Sequence, residues 1–304
     1  MDDGGWIFYL PSSPFPPFPL HTPMTTLSKQ SSLLLLLAGL MLSCAAPQEE
    51  ADGWVTLFNG KDLSGWDTYL GPETTEAGEP GQPFGLNNDP RQVFQVVEVE
   101  GAPALMISGE IGGGISTVAE YENYPLTMEF KWGIAMPWAS RPKRDSGVLY
   151  HAVGPHGVDY GFWMRSQEFQ IQEGDCGDYW GVAGGIFDIP SIQNGAGDYV
   201  FNRAGTLHTF EDGRETGRHC IKDPDAEKPS GEWNSIDLYV SADTSVHVVN
   251  GQVTMILYNS RQAGEGGALP LTRGKIQIQS EGAEVYYRNI RLQPIDMIPD
   301  QILE

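Results

Sequence analysis

From Trp54 onward, short apolar runs alternate with clusters of Gly, Pro, Asn and Asp. No stretch keeps the 3.6-residue period of an amphipathic helix. Runs with alternating or β-branched character predict strands near 54–58, 93–99, 104–108, 126–133, 147–153, 168–173, 235–241, 246–249, 252–257, 275–279 and 285–292. Strands in that number with no helices between them predict an all-β fold. The expected form is a two-sheet antiparallel β-sandwich of the jelly-roll type, spanning residues 54–295. Asn250-Gly251 lies between two of the runs and is a hairpin-turn signal. Residues 70–92 read as one long polar loop. Leu57, Phe58, Phe169, Ile171, Ile276 and Ile278 are the expected core positions.

The chain before Trp54 follows a different pattern. Leu33 to Leu42 is apolar or small throughout, Lys29 precedes it, and Leu42-Ser43-Cys44 follows. A positive segment, a short apolar segment and a small residue before a cut site make an export signal. The apolar run is too short to span a bilayer comfortably. Cys44 directly after the cut resembles a bacterial lipobox, although Met41 stands where Leu is usual. The reading is therefore a signal peptide over 24–43, lipidation at Cys44 and a short acidic tether over 44–53. Residues 1–23 are Pro-rich and read as an extension ahead of a true start at Met24; residues 296–304 form a tail. The protein is expected outside the cytoplasm, lipid-anchored at the outer membrane.

The formal net charge is −22, and the 18 Lys and Arg are scattered rather than striped. That disfavours nucleic acid and an anionic membrane surface as partners, leaving the lipid anchor as the only membrane contact. A neutral partner such as a sugar suits an acidic protein. Besides Cys44, the cysteines are Cys176 and Cys220, which are free to pair in an oxidising compartment or to stay buried as thiols.

Residues two apart in a strand share a face. Glu168, Gln170 and Gln172 thus share a face opposite Phe169 and Ile171. Asp145, Gly147, Leu149 and His151 share another, as do Lys275, Gln277 and Gln279. Together they predict a sheet face of carboxylates, amides and an imidazole. Amides both donate to and accept from hydroxyls, which suits a sugar cleft. Arg144, Gln170, Gln172, Gln279, Trp180 and Arg288 are the candidates for holding the sugar. Glu173, Asp175 and Asp178 form an acidic turn whose oxygen ligands would suit calcium, the one cofactor considered; the full calcium-loop pattern is absent. His156, His208, His219 and His247 show no ligand spacing.

Several segments in order resemble one family. They are Leu57-Phe58-Asn59-Gly60-Lys61-Asp62-Leu63-Ser64-Gly65-Trp66, Asp145-Ser146-Gly147-Val148, Glu168-Phe169-Gln170-Ile171, Gly231-Glu232-Trp233-Asn234, Asn250-Gly251, Ile276-Gln277-Ile278-Gln279 and Tyr287-Arg288-Asn289-Ile290. The chain is similar to the 3-keto-disaccharide hydrolases, which have the concanavalin A-like lectin/glucanase sandwich. The resemblance implies cleavage of a glycoside whose C3 is a ketone. A base removes the acidified C2 proton, the C1 substituent leaves, and water adds back. Glu168 is the expected base, with His151, Glu173 and Arg144 as possible partners and Asp145 beside them. Asp145 stands where the family usually has Asn, and His151 where it often has Arg. Two other readings stay open. Glu168 and Glu173 have the spacing of the carboxylates of retaining glucanases, but Gln170 replaces their central Asp. A non-catalytic carbohydrate-binding lipoprotein would carry the same polar face.

Replacing Cys44 with Ser is expected to release the protein from the membrane fraction on cell fractionation. Continued membrane association of the variant would refute the anchor.

Overall fold

The strand Arg165–Gln172 shows how alternation builds this molecule. Phe169 and Ile171 are fully buried between two sheets, while Glu168, Gln170 and Gln172 lie on the opposite face. The computed structural model describes residues 48–49, 52–74 and 80–304. The readings on Cys44, the signal peptide and the N-terminal extension lie outside the described residues.

Among the described residues there are two antiparallel sheets, of thirteen and eight strands. The eight-stranded sheet runs, in spatial order, His219–Cys220, Tyr179–Val182, Arg165–Gln172, Asp145–Val153, Lys275–Ser280, Gly113–Thr117, Trp66–Thr74 and Pro80–Leu86. The larger sheet is centred on Val285–Leu292, Tyr124–Trp132, Asn234–Ser241, Thr244–Val249, Gln252–Gln262 and Gly185–Gln193. The fold is the expected all-β sandwich. Leu57, Phe58, Phe169, Ile171, Ile276 and Ile278 are all buried in one core with Tyr124, Phe130, Phe187 and Tyr287. Asn250 and Gly251 both have positive φ, 48° and 78°, as the tight hairpin turn between Val249 and Gln252 requires.

Two features depart from the sequence reading. Residues 70–92 are not a single loop. Trp66–Thr74 and Pro80–Leu86 pair as a hairpin, with Tyr69 opposite Leu86 and Pro72 opposite Pro83. This hairpin is the outermost element of the smaller sheet, where proline is tolerated because no further strand needs its N–H. Its Pro and Gly content hid it. The strands Gly113–Thr117, Gly185–Gln193 and Thr206–Phe210 were also not anticipated.

Polar side chains tie the layers together inside the core. The Ser146 hydroxyl donates to the Gln279 carbonyl at 2.9 Å and meets the Tyr287 hydroxyl of the other sheet at 2.8 Å. His247 stacks on Phe169 at 4.2 Å, with its ring nitrogens on the Tyr150 hydroxyl and the Gly177 carbonyl. Burial pushes the His247 pKa down to about 3, so the ring is neutral and Nδ1–H donates to the carbonyl. Cys176 and Cys220 are both buried and free, so they do not pair. At the chain's end, Asp300–Leu303 forms one helical turn, and Ile302 and Leu303 pack against the core.

Phe169→Ala removes a fully buried ring from between the sheets and is expected to cost about 3–5 kcal/mol, read as a lowered denaturant midpoint.

Candidate active site

The outer face of the eight-stranded sheet is set by register. Glu168 is opposite Leu149 on one side and Trp180 on the other; Gln170 is opposite Gly147, and Gln172 opposite Asp145. Across the next seam Gln277 is opposite Leu149, and Gln279 is then paired with Gly114. The result is a central patch of Glu168, Gln170, Gly147 and Gln279 with Asp145 and Gln172 at one end.

Gly147 is a glycine for reasons of space. A Cβ there would lie 2.3 Å from Glu168 Oε1 and 2.4 Å from Gln279 Oε1. The two side chains close over the glycine from the strands on either side. Glu168, Gln170, Gln279 and Asp145 are only 5, 7, 1 and 3 % exposed. Among the described residues, Asp145 Oδ1, Gln170 Oε1 and Gln279 Oε1 are buried acceptors with no donor. Buried polar atoms are normally satisfied, so three orphaned acceptors around one glycine mark a place shaped for something else's donors.

A loop covers the neighbouring part of the face. Trp163 packs with Leu149 and Val182 and donates from its indole to the Gly113 carbonyl at 2.9 Å. Gln277 is occupied there: its Oε1 accepts from the Met164 amide at 3.1 Å, and its amide lies 3.4 Å from His156, which stacks on Tyr69.

The charges are concentrated at the Asp145 end. One Arg141 nitrogen reaches Asp145 Oδ2 at 2.7 Å and Glu281 Oε1 at 2.9 Å. The Gln172 amide donates to the same Asp145 oxygen at 2.6 Å. Burial drives the pKa values of Glu168, Asp145 and Glu281 upward. For Glu168 the charges of Glu281 and then Asp145 add to burial, and Arg218 opposes them. For Glu281 the Asp145 charge adds to burial, and Arg141 opposes. For Asp145 burial is resisted by Arg141 and by the Gln172 hydrogen bond. Burial outweighs both guanidinium groups, Arg141 at Asp145 and Glu281 and Arg218 near Glu168, so the three carboxyls hold protons above the ordinary carboxylate range.

The structure gathers some expected site residues and separates others. Glu168, Asp145, Gln170, Gln172 and Gln279 come together. Trp180 is beside Glu168, but His219 stacks on its ring at 4.2 Å. Glu173 is not a partner of Glu168: both its oxygens accept from Arg144 at 3.1 Å, beyond the end of the strand. His151 is fully buried against Tyr150, and burial lowers its pKa to about 4. Its φ of +52° and the slipped pairing on both sides take it out of the simple alternation. Arg288 lies on the other sheet, 3.8 Å over the Trp233 ring and bonded to Glu129. The acidic turn does not converge either, since Glu173 binds Arg144, Asp175 binds Lys143 and Asp178 binds His219. Among the described residues no group of three or more His, Cys, Asp or Glu is arranged to hold a metal ion.

Two contributors were missed. Glu281 continues the alternation of Gln277 and Gln279 by one more step, a signal present in the sequence. Arg218 comes from a distant segment. Its guanidinium lies 5.5 Å over Trp180, 5.8 Å over Tyr160 and 3.7 Å from Asp159, and no local pattern announces it.

These features define a β-sandwich protein with a carboxyl- and amide-lined face suited to carbohydrate. The chain belongs to the family of 3-keto-alpha-glucoside-1,2-lyase-like domains, whose model matches residues 53–293. No curated protein matches it. Among solved structures it is similar to a candidate glycosyl hydrolase from Parabacteroides distasonis ATCC 8503, at 21% identity and a TM-score of 0.45, covering 82% of this chain and 96% of that one. A second candidate glycosyl hydrolase from the same organism shares 18% identity at a TM-score of 0.40, covering 66% and 90%. The carbohydrate-binding module CBM66 from Bacillus subtilis shares 6% at 0.37, covering 66% and 91%.

The carboxyl cluster has a consequence for stability. A raised pKa means that the folded chain keeps protons the unfolded chain releases, so stability falls as pH rises through the interval. The buried His151 and His247 act oppositely, but only below the ordinary histidine value of 6.5. From pH 6.5 upward the melting temperature is expected to fall, and to fall less in the double variant Asp145→Asn, Glu281→Gln. Calorimetry showing equal slopes for the two proteins would contradict this.

Proposed function

We propose that the chain cleaves the glycosidic bond of 3-keto glycosides by elimination across C1 and C2, with Glu168 as the base. The observation that carries this reading is the buried Glu168 carboxyl over Gly147, ringed by the unpartnered acceptors of Asp145, Gln170 and Gln279. Sugar hydroxyls are the donors such acceptors lack, and they would fix the ring above the carboxyl. The C2 proton passes to Glu168, the C–H electron pair becomes the C1–C2 double bond, and the C1–O pair leaves with the aglycone oxygen. Addition of water to C1, with the proton returned to C2, completes a net hydrolysis. A base with a raised pKa is matched to a weakly acidic carbon, and it works only when ionised.

A classical retaining mechanism is less well supported, because it needs a second carboxyl about 5–5.5 Å away as partner. Glu173, the residue with the right spacing, is held by Arg144 instead. A purely binding role would use the same orphaned acceptors but leaves the raised pKa of Glu168 without a purpose. The apolar run Leu33 to Leu42 followed by Ser43-Cys44 supports an enzyme outside the cytoplasm, anchored through Cys44.

Glu168→Gln keeps the shape and removes the basic oxygen. It is expected to lower turnover of a 3-keto-glucoside about 10²–10⁴-fold with little change in sugar affinity. Full activity in the variant would refute Glu168 as base. Cleavage of the unoxidised glucoside would favour the glycosidase, and saturable binding without cleavage of either would favour the binding protein.

A further inference from the structure

An elimination would leave a negatively charged oxygen on the departing group, and the end of the face beyond Gly147 carries two carboxyls that share one guanidinium. Asp145 and Glu281 share a single nitrogen of Arg141. One guanidinium balances one carboxylate, so the second carboxyl of the pair retains its proton in the neutral range. The hydrogen bonds say which one. Asp145 Oδ2 accepts from both Arg141 and the Gln172 amide, an arrangement that favours its ionised form. The hydrogen bond to Arg141 is the one that favours ionised Glu281. The proton therefore resides mainly on Glu281. The charged groups that act on Glu281 are Asp145, Arg141 and Asp159, and Glu281 in turn acts on Glu168.

Beside Glu281 the surface opens into a pocket of about 310 Å³ lined by Pro72, Glu73, Glu110, Ile111, Gly112, Trp138 and Phe162. Ser280 pairs with Gly113, so Gly112 and Glu281 are next to each other at the end of the seam. Trp138 is the partition. Arg141 lies 5.2 Å over its ring, Gly282 is packed against it, and its indole donates to the Glu110 carbonyl at 3.2 Å. Phe162, 6.2 Å from Trp138, makes the second aromatic wall. It fits only because Gly71 and Gly112 lack side chains, whose Cβ atoms would lie 2.3 and 2.8 Å from its ring. Aromatic walls and a carboxylate rim suit an uncharged ring-bearing group and repel an anionic one.

We propose that Glu281 is the proton donor to the departing oxygen, and that the leaving group sits in the pocket between Trp138 and Phe162. This rests on the elimination reading above. As the C1–O bond breaks, its electron pair takes the Glu281 proton, leaving Glu168 protonated and Glu281 ionised. Addition of water reverses both transfers: Glu281 takes a proton from water as it attacks C1, and Glu168 returns its proton to C2. The productive form has Glu168 ionised and Glu281 protonated, one of the arrangements the coupled carboxyls exchange among.

The experiment compares wild type, Glu281→Gln and Asp145→Asn on two 3-keto-glucosides, one with a 4-nitrophenyl and one with a methyl leaving group. Nitrophenolate leaves without help and methoxide does not. Glu281→Gln is expected to lose about 10²–10³-fold on the methyl glucoside and at least tenfold less on the nitrophenyl one. Asp145→Asn removes the repulsion that keeps Glu281 protonated, so the alkaline limb of its methyl-glucoside profile is expected at lower pH. Infrared difference spectra supply a readout independent of turnover: a protonated carboxyl band at neutral pH that Glu281→Gln removes and Glu168→Gln leaves in place. Equal losses on both substrates, or a neutral-pH spectrum without that band, would overturn the assignment. If the wild type cleaves neither glucoside while the band persists, the elimination reading and the donor role fall together and the shared proton stands. For the pocket, Trp138→Leu is expected to raise KM for the nitrophenyl substrate and not for the methyl one; an equal rise on both would remove the leaving group from it.

Discussion

The carboxyl of Glu168 and the carboxamide of Gln279 meet across the strand that separates them, and they do so because residue 147 of that strand has no side chain. Any Cβ at this position would occupy the space of both oxygens. The consequence spreads outward. Ser146, one residue earlier, faces the core and ties the strand to Tyr287 of the opposite sheet, so the glycine is held in place from below. Asp145, one residue further, returns to the outer face and meets Gln172 and Arg141. Three consecutive residues thus supply an anchor in the core, the gap in which Glu168 and Gln279 meet, and a carboxyl beside it.

The second constraint is electrostatic. Burial raises the pKa values of Glu168, Asp145 and Glu281; the Asp145 charge adds to the rise at Glu281, the charges of Glu281 and Asp145 add to it at Glu168, and Arg141 offsets part of it at Asp145 and Glu281. A cluster like this is a poor investment in stability, because burying charge is costly and repulsion adds to it. It is useful where protons must be taken from carbon and given to oxygen at neutral pH. Perturbed carboxyls beside unsatisfied acceptors are the features that separate this face from the rest of an acidic surface. A cavity of about 610 Å³ on the other sheet, around Phe58, Pro103 and Asn289, has no such cluster.

The chain belongs to the family of 3-keto-alpha-glucoside-1,2-lyase-like domains, and its Glu168 and Glu173 carboxyls are not a matched pair. The Glu168–Glu173 spacing suggests such a pair in one dimension. In three dimensions the strand ends at Gln172, and Glu173 turns away to Arg144. The neighbours of Glu168 come from other strands: Leu149 and Trp180 by register, and Gln279 across Gly147.

Period-two alternation was enough to read the sandwich, the core positions and the faces of Glu168, Gln170, Gln172, Asp145 and Gln279, because the pleat fixes where each residue of a regular strand points. The same alternation, one step beyond Gln279, reaches Glu281, which the sequence reading missed. It failed at His151, where a positive φ and slipped pairing break the alternation, and at the 66–86 hairpin, where Pro and Gly mask an edge strand. What only the tertiary structure decided is which strands are neighbours. Register between distant segments puts Glu168 beside Trp180, brings Arg218 over that indole, and sends Arg288 to the opposite sheet. Those pairings depend on backbone hydrogen bonds between segments far apart in the chain, and no local pattern encodes them.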